Sequence, residues 1–105
     1  MSNALKHYQL YSKEYVGPSY FKKVIKLPKN SKILSLHENI FNGIPCPGFG
    51  ISVLVDTKIK DFKEYEFLIF PICISKTECS CIDEYTFLGT FNVNTSYYDV
   101  FYKII

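Results

Sequence analysis

Glu64-Tyr65-Glu66-Phe67-Leu68-Ile69-Phe70-Pro71-Ile72-Cys73 is apolar along almost its whole length and rich in aromatic and β-favouring residues. Only its start alternates, with Glu64 and Glu66 set against Tyr65 and Phe67. A strand with one wet face alternates throughout, whereas a strand covered on both faces need not. The stretch is therefore read as the central strand, more buried towards Pro71, where the missing amide hydrogen ends regular pairing. Other strand-like runs must supply the apolar surface that covers it.

Upstream, Tyr20 to Leu27 alternates as a strand. Phe21, Lys23, Ile25 and Leu27 share one face, and Lys22, Val24 and Lys26 the other. Pro28-Lys29-Asn30-Ser31 reads as a turn leading to a strand over Lys32 to His37, the two strands forming a hairpin. Asn39 to Gly50 gathers Gly43, Pro45, Pro47, Gly48 and Gly50, which predicts an irregular loop. Ile51 to Asp56 follows as a strand with Ile51, Val53 and Val55 towards the core, and Thr57 to Lys63 is a charged connection.

Downstream, Ser75 to Asp83 is polar and reads as a loop. Glu84 to Val93 alternates, with Tyr85, Phe87, Phe91 and Val93 on one side. Gly89 interrupts that row where a neighbouring group needs room. Tyr97 to Ile105 closes the chain with Tyr98, Val100, Tyr102 and Ile104 on one face. Residues Met1 to Ser19 are left open between a short helix and a strand, ending at Gly17-Pro18. The expected fold is all-β, a small antiparallel β-sandwich or open barrel of about six strands. It forms one domain over residues 1–105, with the β core in residues 20–105.

The 105 residues suffice for one core without metal or disulfide support. All twelve basic residues are Lys, so no guanidinium fork is present for phosphate or guanine. A net charge of +2 does not by itself imply nucleic acid. No run approaches the roughly 20 apolar residues of a membrane span, and the first residues lack the apolar core of a signal peptide. The expectation is a cytoplasmic protein without membrane attachment, its cysteines reduced.

Lys22, Lys23, Lys26, Lys29 and Lys32 form the main concentration of like charge. Lys22 and Lys26 on one strand face read either as a solvated surface that discourages edge pairing or as an anion-binding face. In the second reading the amides of Gly43, Gly48 and Gly50 form a phosphate nest, while Phe49, Tyr97 and Tyr98 stack on a base. No phosphate-loop signature occurs. Cys46, Cys73, Cys79 and Cys81 lack the paired knuckles of structural zinc, the closest pair being Cys79-Ser80-Cys81. His7 and His37 lie in different segments, with no nucleophile–base spacing. No catalytic residue, cofactor or metal is expected, and the chain is not read as an enzyme.

The order of short motifs resembles an uncharacterised family of short β-rich proteins encoded by phages and bacteria, over about Phe21 to Ile105. The matching residues are Leu27-Pro28, Ser31, Ile33-Leu34, Pro45, Leu54-Val55-Asp56, Phe67, Ile69, Phe87-Leu88-Gly89-Thr90 and Asp99-Val100-Phe101. Where that family often has Trp after the loop Pro, then Gly-His and Trp-His pairs, this chain has Phe49, Phe70-Pro71 and Tyr98-Asp99. The roles of those histidines therefore do not transfer. The resemblance implies a compact β fold and a phage-associated source. With the missing catalytic pattern, it leads to the expectation of a non-enzymatic accessory protein, in the host cytoplasm if phage-encoded. Such a protein acts by stoichiometric binding, sequestering a nucleotide-type signal or blocking a host defence protein, as a homo-oligomer. The alternatives are a small barrel binding single-stranded nucleic acid, favoured less for want of Arg, and a structural or regulatory phage protein-interaction module.

Overall fold

The computed structural model describes residues 3–11, 20–71, 82–93 and 96–105. They form seven strands: β1 (Asn3–Tyr11), β2 (Phe21–Pro28), β3 (Lys32–Phe41), β4 (Ile44–Asp56), β5 (Phe62–Pro71), β6 (Thr86–Val93) and β7 (Ser96–Ile104). A 3-10 turn at Ile82–Glu84 precedes β6. The strands build two antiparallel sheets in the orders β1-β4-β3 and β2-β5-β7-β6. They do not close into a barrel. Of the N-terminal segment left open between helix and strand, Asn3–Tyr11 is β1, which takes the count among the described residues from about six to seven.

The core lies between the sheets. Leu10, Phe49, Ile51, Val53 and Val55 meet Leu27, Tyr65, Phe67, Ile69 and Val100 there, all buried. Alternation explains the set: Ile51, Val53 and Val55 share one face of β4, and Tyr65, Phe67 and Ile69 one face of β5. Burial pushes the Tyr65 phenol above its ordinary value of 10.0, with Tyr102 nearby adding to the rise. A phenol raised in the folded state contributes stability below the unfolded value. That contribution fades as pH climbs through the raised folded one.

β5 is the central strand that its composition predicted, with β2 and β7 as neighbours. The later half of its second face is also dry. Leu68 and Phe70 are fully buried and pack with Tyr85, Tyr20, Ile82 and Phe101. Ile82 and Tyr85, just before β6, lie over this outer face. Tyr85 is anchored by its hydroxyl, which donates to Glu66 Oε2. Lys103 lies 4.7 Å from the centre of the Tyr85 ring and pairs with Glu84 at 3.8 Å. Tyr85→Phe keeps the ring and removes the donor, so urea denaturation should show a loss of about 0.5–1.5 kcal/mol.

Three sequence expectations are corrected. The turn at Pro28–Ser31 is present, with Ser31 N–H donating to Pro28 C=O at 3.1 Å and Asn30 at φ 66°. It does not make a hairpin, because β2 pairs with β5 and β3 with β4. The turn carries the chain from one sheet to the other, which lets Leu27 and Ile33 pack into one core.

The second correction is the loop expected over Asn39 to Gly50. β3 continues to Phe41, and β4 begins at Ile44 after a tight turn at Asn42 and Gly43, both with positive φ. Pro47 and Gly48 are tolerated in a bulge, since the register jumps from Glu38↔Phe49 to Asn39↔Cys46. Pro45 sits beyond the described end of the β1 pairing, where β3 is the one described neighbour and a missing amide hydrogen costs little.

The third correction is in β6, where a register shift between Phe87 and Gly89 breaks the predicted alternation. Phe87 turns outward against Phe101, with ring centres 5.2 Å apart, and is 56% exposed. Leu88 faces the core instead, while Phe91 faces it as the alternation predicts. At Gly89 an added Cβ would lie 3.2 Å from Leu36 Cδ1 in the opposite sheet, so the expected need for room is real. The predicted Ser75–Asp83 loop falls mostly outside the described residues.

Candidate functional site

The residues proposed for an anion site are dispersed over the fold. Lys22 and Lys26 are exposed on the outer face of β2, and their cross-strand partners are Leu68 and Glu64. Val24 between them faces Glu66, so carboxylates stand opposite this lysine row. Gly43 is exposed at the β3–β4 turn, whereas Gly48 and Gly50 are buried within β4. Phe49 is fully buried, with ring centres 5.2 Å from Phe91 and 6.0 Å from Tyr98. Tyr98 packs against the core and Tyr97 is half exposed near the start of β7. Most of this stretch runs as strand β4, with Gly43 in the preceding turn and Gly48 in the bulge. Cys73, Cys79 and Cys81 lie outside the described residues, as does the side chain of Cys46.

A different set of polar residues does converge, on the outer face of the β1-β4-β3 sheet. In β1, His7 stands opposite Ser52 of β4, and in β3 His37 stands opposite Gly50 of β4. Strands two places apart are separated by roughly 9.5 Å, too far for most side chains to meet. Here the middle strand offers no side chain at Gly50, and an added Cβ would sit 2.9 Å from His7 Cε1. The two imidazoles close over that gap, with ring centres 4.2 Å apart and planes tilted by 34°.

Hydrogen bonds tie both rings to their neighbours. His37 Nδ1 lies 2.8 Å from Glu38 C=O. A backbone carbonyl only accepts, so Nδ1 carries the hydrogen and Nε2 keeps its lone pair. The Ser52 hydroxyl donates to that Nε2. His7 Nε2 lies 3.3 Å from Asn39 Oδ1, an amide oxygen on a buried residue, so Nε2–H is the donor there. His7 Nδ1 and His37 Nε2 are hydrogen-bonded to each other at 3.0 Å. The two rings, the Ser52 hydroxyl and the Asn39 amide thus form one hydrogen-bonded cluster.

Sequence reasoning missed this cluster because His7, His37, Asn39 and Ser52 carry no common spacing. The available signal was Gly50 beside a strand, which marks close approach of another group. Finding its neighbours requires the strand order. Among the described residues, no group of three or more His, Cys, Asp or Glu forms a metal-binding cage, and no helix is long and apolar enough to cross a membrane. No family model matches the chain, and neither a curated protein nor a solved structure matches it at a significant level.

Proposed function

We propose that the chain is a non-enzymatic protein that acts by stoichiometric binding to another protein. In the setting implied by its resemblance, it is a phage accessory protein that occupies a component of a host defence in the cytoplasm. The observation that carries this reading is the outer face of the β1-β4-β3 sheet. Leu5 is 64% exposed beside its cross-strand partner Leu54, and Leu34 is 48% exposed at a bulge in β3. These apolar groups adjoin the polar cluster of His7, His37 and Ser52. Apolar anchors beside well-placed polar groups suit a protein interface. A nucleotide-type signal is the weaker choice, because Lys26 faces Glu64 across the sheet, Glu66 stands opposite Val24 between the two lysines, and Gly48–Gly50 are buried.

The test expresses the tagged full chain in cells carrying a defence system and isolates its complex by size exclusion. A stoichiometric protein partner should co-elute and be lost from the Leu5→Glu, Leu34→Glu double variant. Both positions are exposed, so each change should alter stability by about 0.5 kcal/mol or less. Retention of the complex by the folded variant rules out this face. Calorimetry with cyclic and linear nucleotides should show no binding. Nucleotide binding that falls about ten-fold in a Lys22→Ala, Lys26→Ala variant would replace the protein partner with an anionic signal.

A further inference from the structure

We infer that the free edge of β2 is a docking site for an extended acidic segment of a partner protein, bound by strand addition. This surface is separate from the β1-β4-β3 face, since β2 borders the other sheet. The ladder determines which backbone groups are open. Lys29 N–H donates to Asp61 C=O at 2.8 Å, and this pair continues the unbroken β2–β5 register. Bonded pairs recur at every second residue, so Lys23, Ile25 and Leu27 point their amides and carbonyls at β5. Those of Lys22, Val24 and Lys26 point away, to the side where no described strand pairs. The alternation agrees with β5, whose Glu64 carbonyl turns to the opposite neighbour and accepts from Ile105 N–H at 2.9 Å. Pro28 closes the open stretch, because it has no N–H and its carbonyl accepts from Ser31.

Native sheet edges are commonly blunted by bulges or by charge. β1, β3 and β6 each carry a register shift, whereas β2 pairs over Phe21–Pro28 without one. Lysine is what guards β2, and charge guards selectively. Lys22, Val24 and Lys26 share the outer face and are exposed, Val24 by 47%. A second copy of β2 laid antiparallel about Val24 would set Lys22 against Lys26 twice, and like charges directly opposite are destabilising. A segment with an apolar residue flanked two positions away on each side by a carboxylate reverses both signs and covers Val24. Its carboxylates would stand roughly 9.5 Å from the row of Glu64 and Glu66, about the screening length in physiological salt. Lys22 and Lys26 lie between the two acidic rows. Phosphate groups suit the lysines as well, but they carry no donors for the Lys22, Val24 and Lys26 carbonyls.

The test uses the full chain labelled with nitrogen-15 and a short capped peptide with Val at its centre, Glu two positions to either side and Thr elsewhere. Thr favours an extended backbone and adds no charge. Saturating peptide should slow hydrogen exchange at the amides of Lys22, Val24 and Lys26. Those of Lys23 and Ile25, already bonded to β5, should not change. This every-second-residue pattern is the distinctive expectation. The Lys22→Glu, Lys26→Glu double variant, shown folded by its spectrum, should bind the peptide at least about ten-fold more weakly and prefer a peptide with Lys in place of Glu. N-methylation of the peptide's central Val removes a backbone donor and leaves its charge intact, and it should weaken binding by a similar factor. Equal affinity for the methylated peptide would overturn the inference, leaving a charged surface alone. So would no binding at millimolar peptide. Protection of the same amides that rises with protein concentration before peptide is added would also overturn it, by placing a second copy on the edge.

Discussion

Phe49→Ala is expected to remove about 3–5 kcal/mol of folding stability. Domains of this kind have roughly 5–15 kcal/mol in total, so the variant should be partly unfolded or close to it. Phe49 has no exposed surface and contacts rings from the opposite sheet, Phe91 and Tyr98. Truncation would leave a cavity between the layers, which the surrounding strands can close only in part. A shifted denaturant midpoint with an unchanged slope is the expected signature. A ring that served on the surface as a base-stacking platform would behave differently, changing stability by about 0.5 kcal/mol or less. Near-native stability of the variant would therefore restore the reading that its neighbouring glycines first suggested.

That contrast shows which parts of the fold the sequence could reveal. The central strand was legible because an uninterrupted apolar run needs cover on both faces, and β5 receives it from the core and from Tyr85, Ile82 and Phe101. The faces of β4 and β7 were legible from their alternation. Strand pairing was less accessible, because local spacing makes a short connection such as Pro28–Ser31 look like a hairpin. Whether two consecutive strands share a sheet depends on which faces must be buried, and Leu27 and Ile33 both enter one core. The Gly- and Pro-rich stretch misled for a related reason. Pro45 and Pro47 are incompatible with a paired strand interior, yet a bulge and a position beyond the described β1 pairing accommodate both.

The candidate site was almost invisible in the sequence. His7 and His37 come from opposite outer strands of a sheet whose middle strand is β4. Their meeting depends on long-range register and on the missing side chain at Gly50. Lys22 and Lys26 could be placed on one strand face correctly, but the facing Glu64 and Glu66 belong to β5. Charge along a single segment does not report such cross-strand partners.

Gly50→Ala should be among the most damaging single-methyl changes in the chain. The new Cβ would stand 2.1 Å from the Tyr8 carbonyl oxygen, far inside any real contact, and within 3.0 Å of two atoms of the His7 ring. The ring can turn aside, but the carbonyl belongs to the backbone of β1 and cannot move without the strand. β1 is held by its described pairing to β4 and by Leu10, which is 2% exposed in the core. Relief of the clash must therefore loosen β1 and expose Leu10. Overpacking usually costs 1–3 kcal/mol, and a backbone contact this close should cost about 3 kcal/mol or more. Hydrogen exchange should show amides of β1 losing protection before those of β5 and β7. The double variant Gly50→Ala, His7→Ala separates the two contacts: removing the ring should not recover stability, because the Tyr8 carbonyl remains. Rescue by His7→Ala would mean that the imidazole alone fills the space above Gly50, and that β1 can approach β4 past a methyl group.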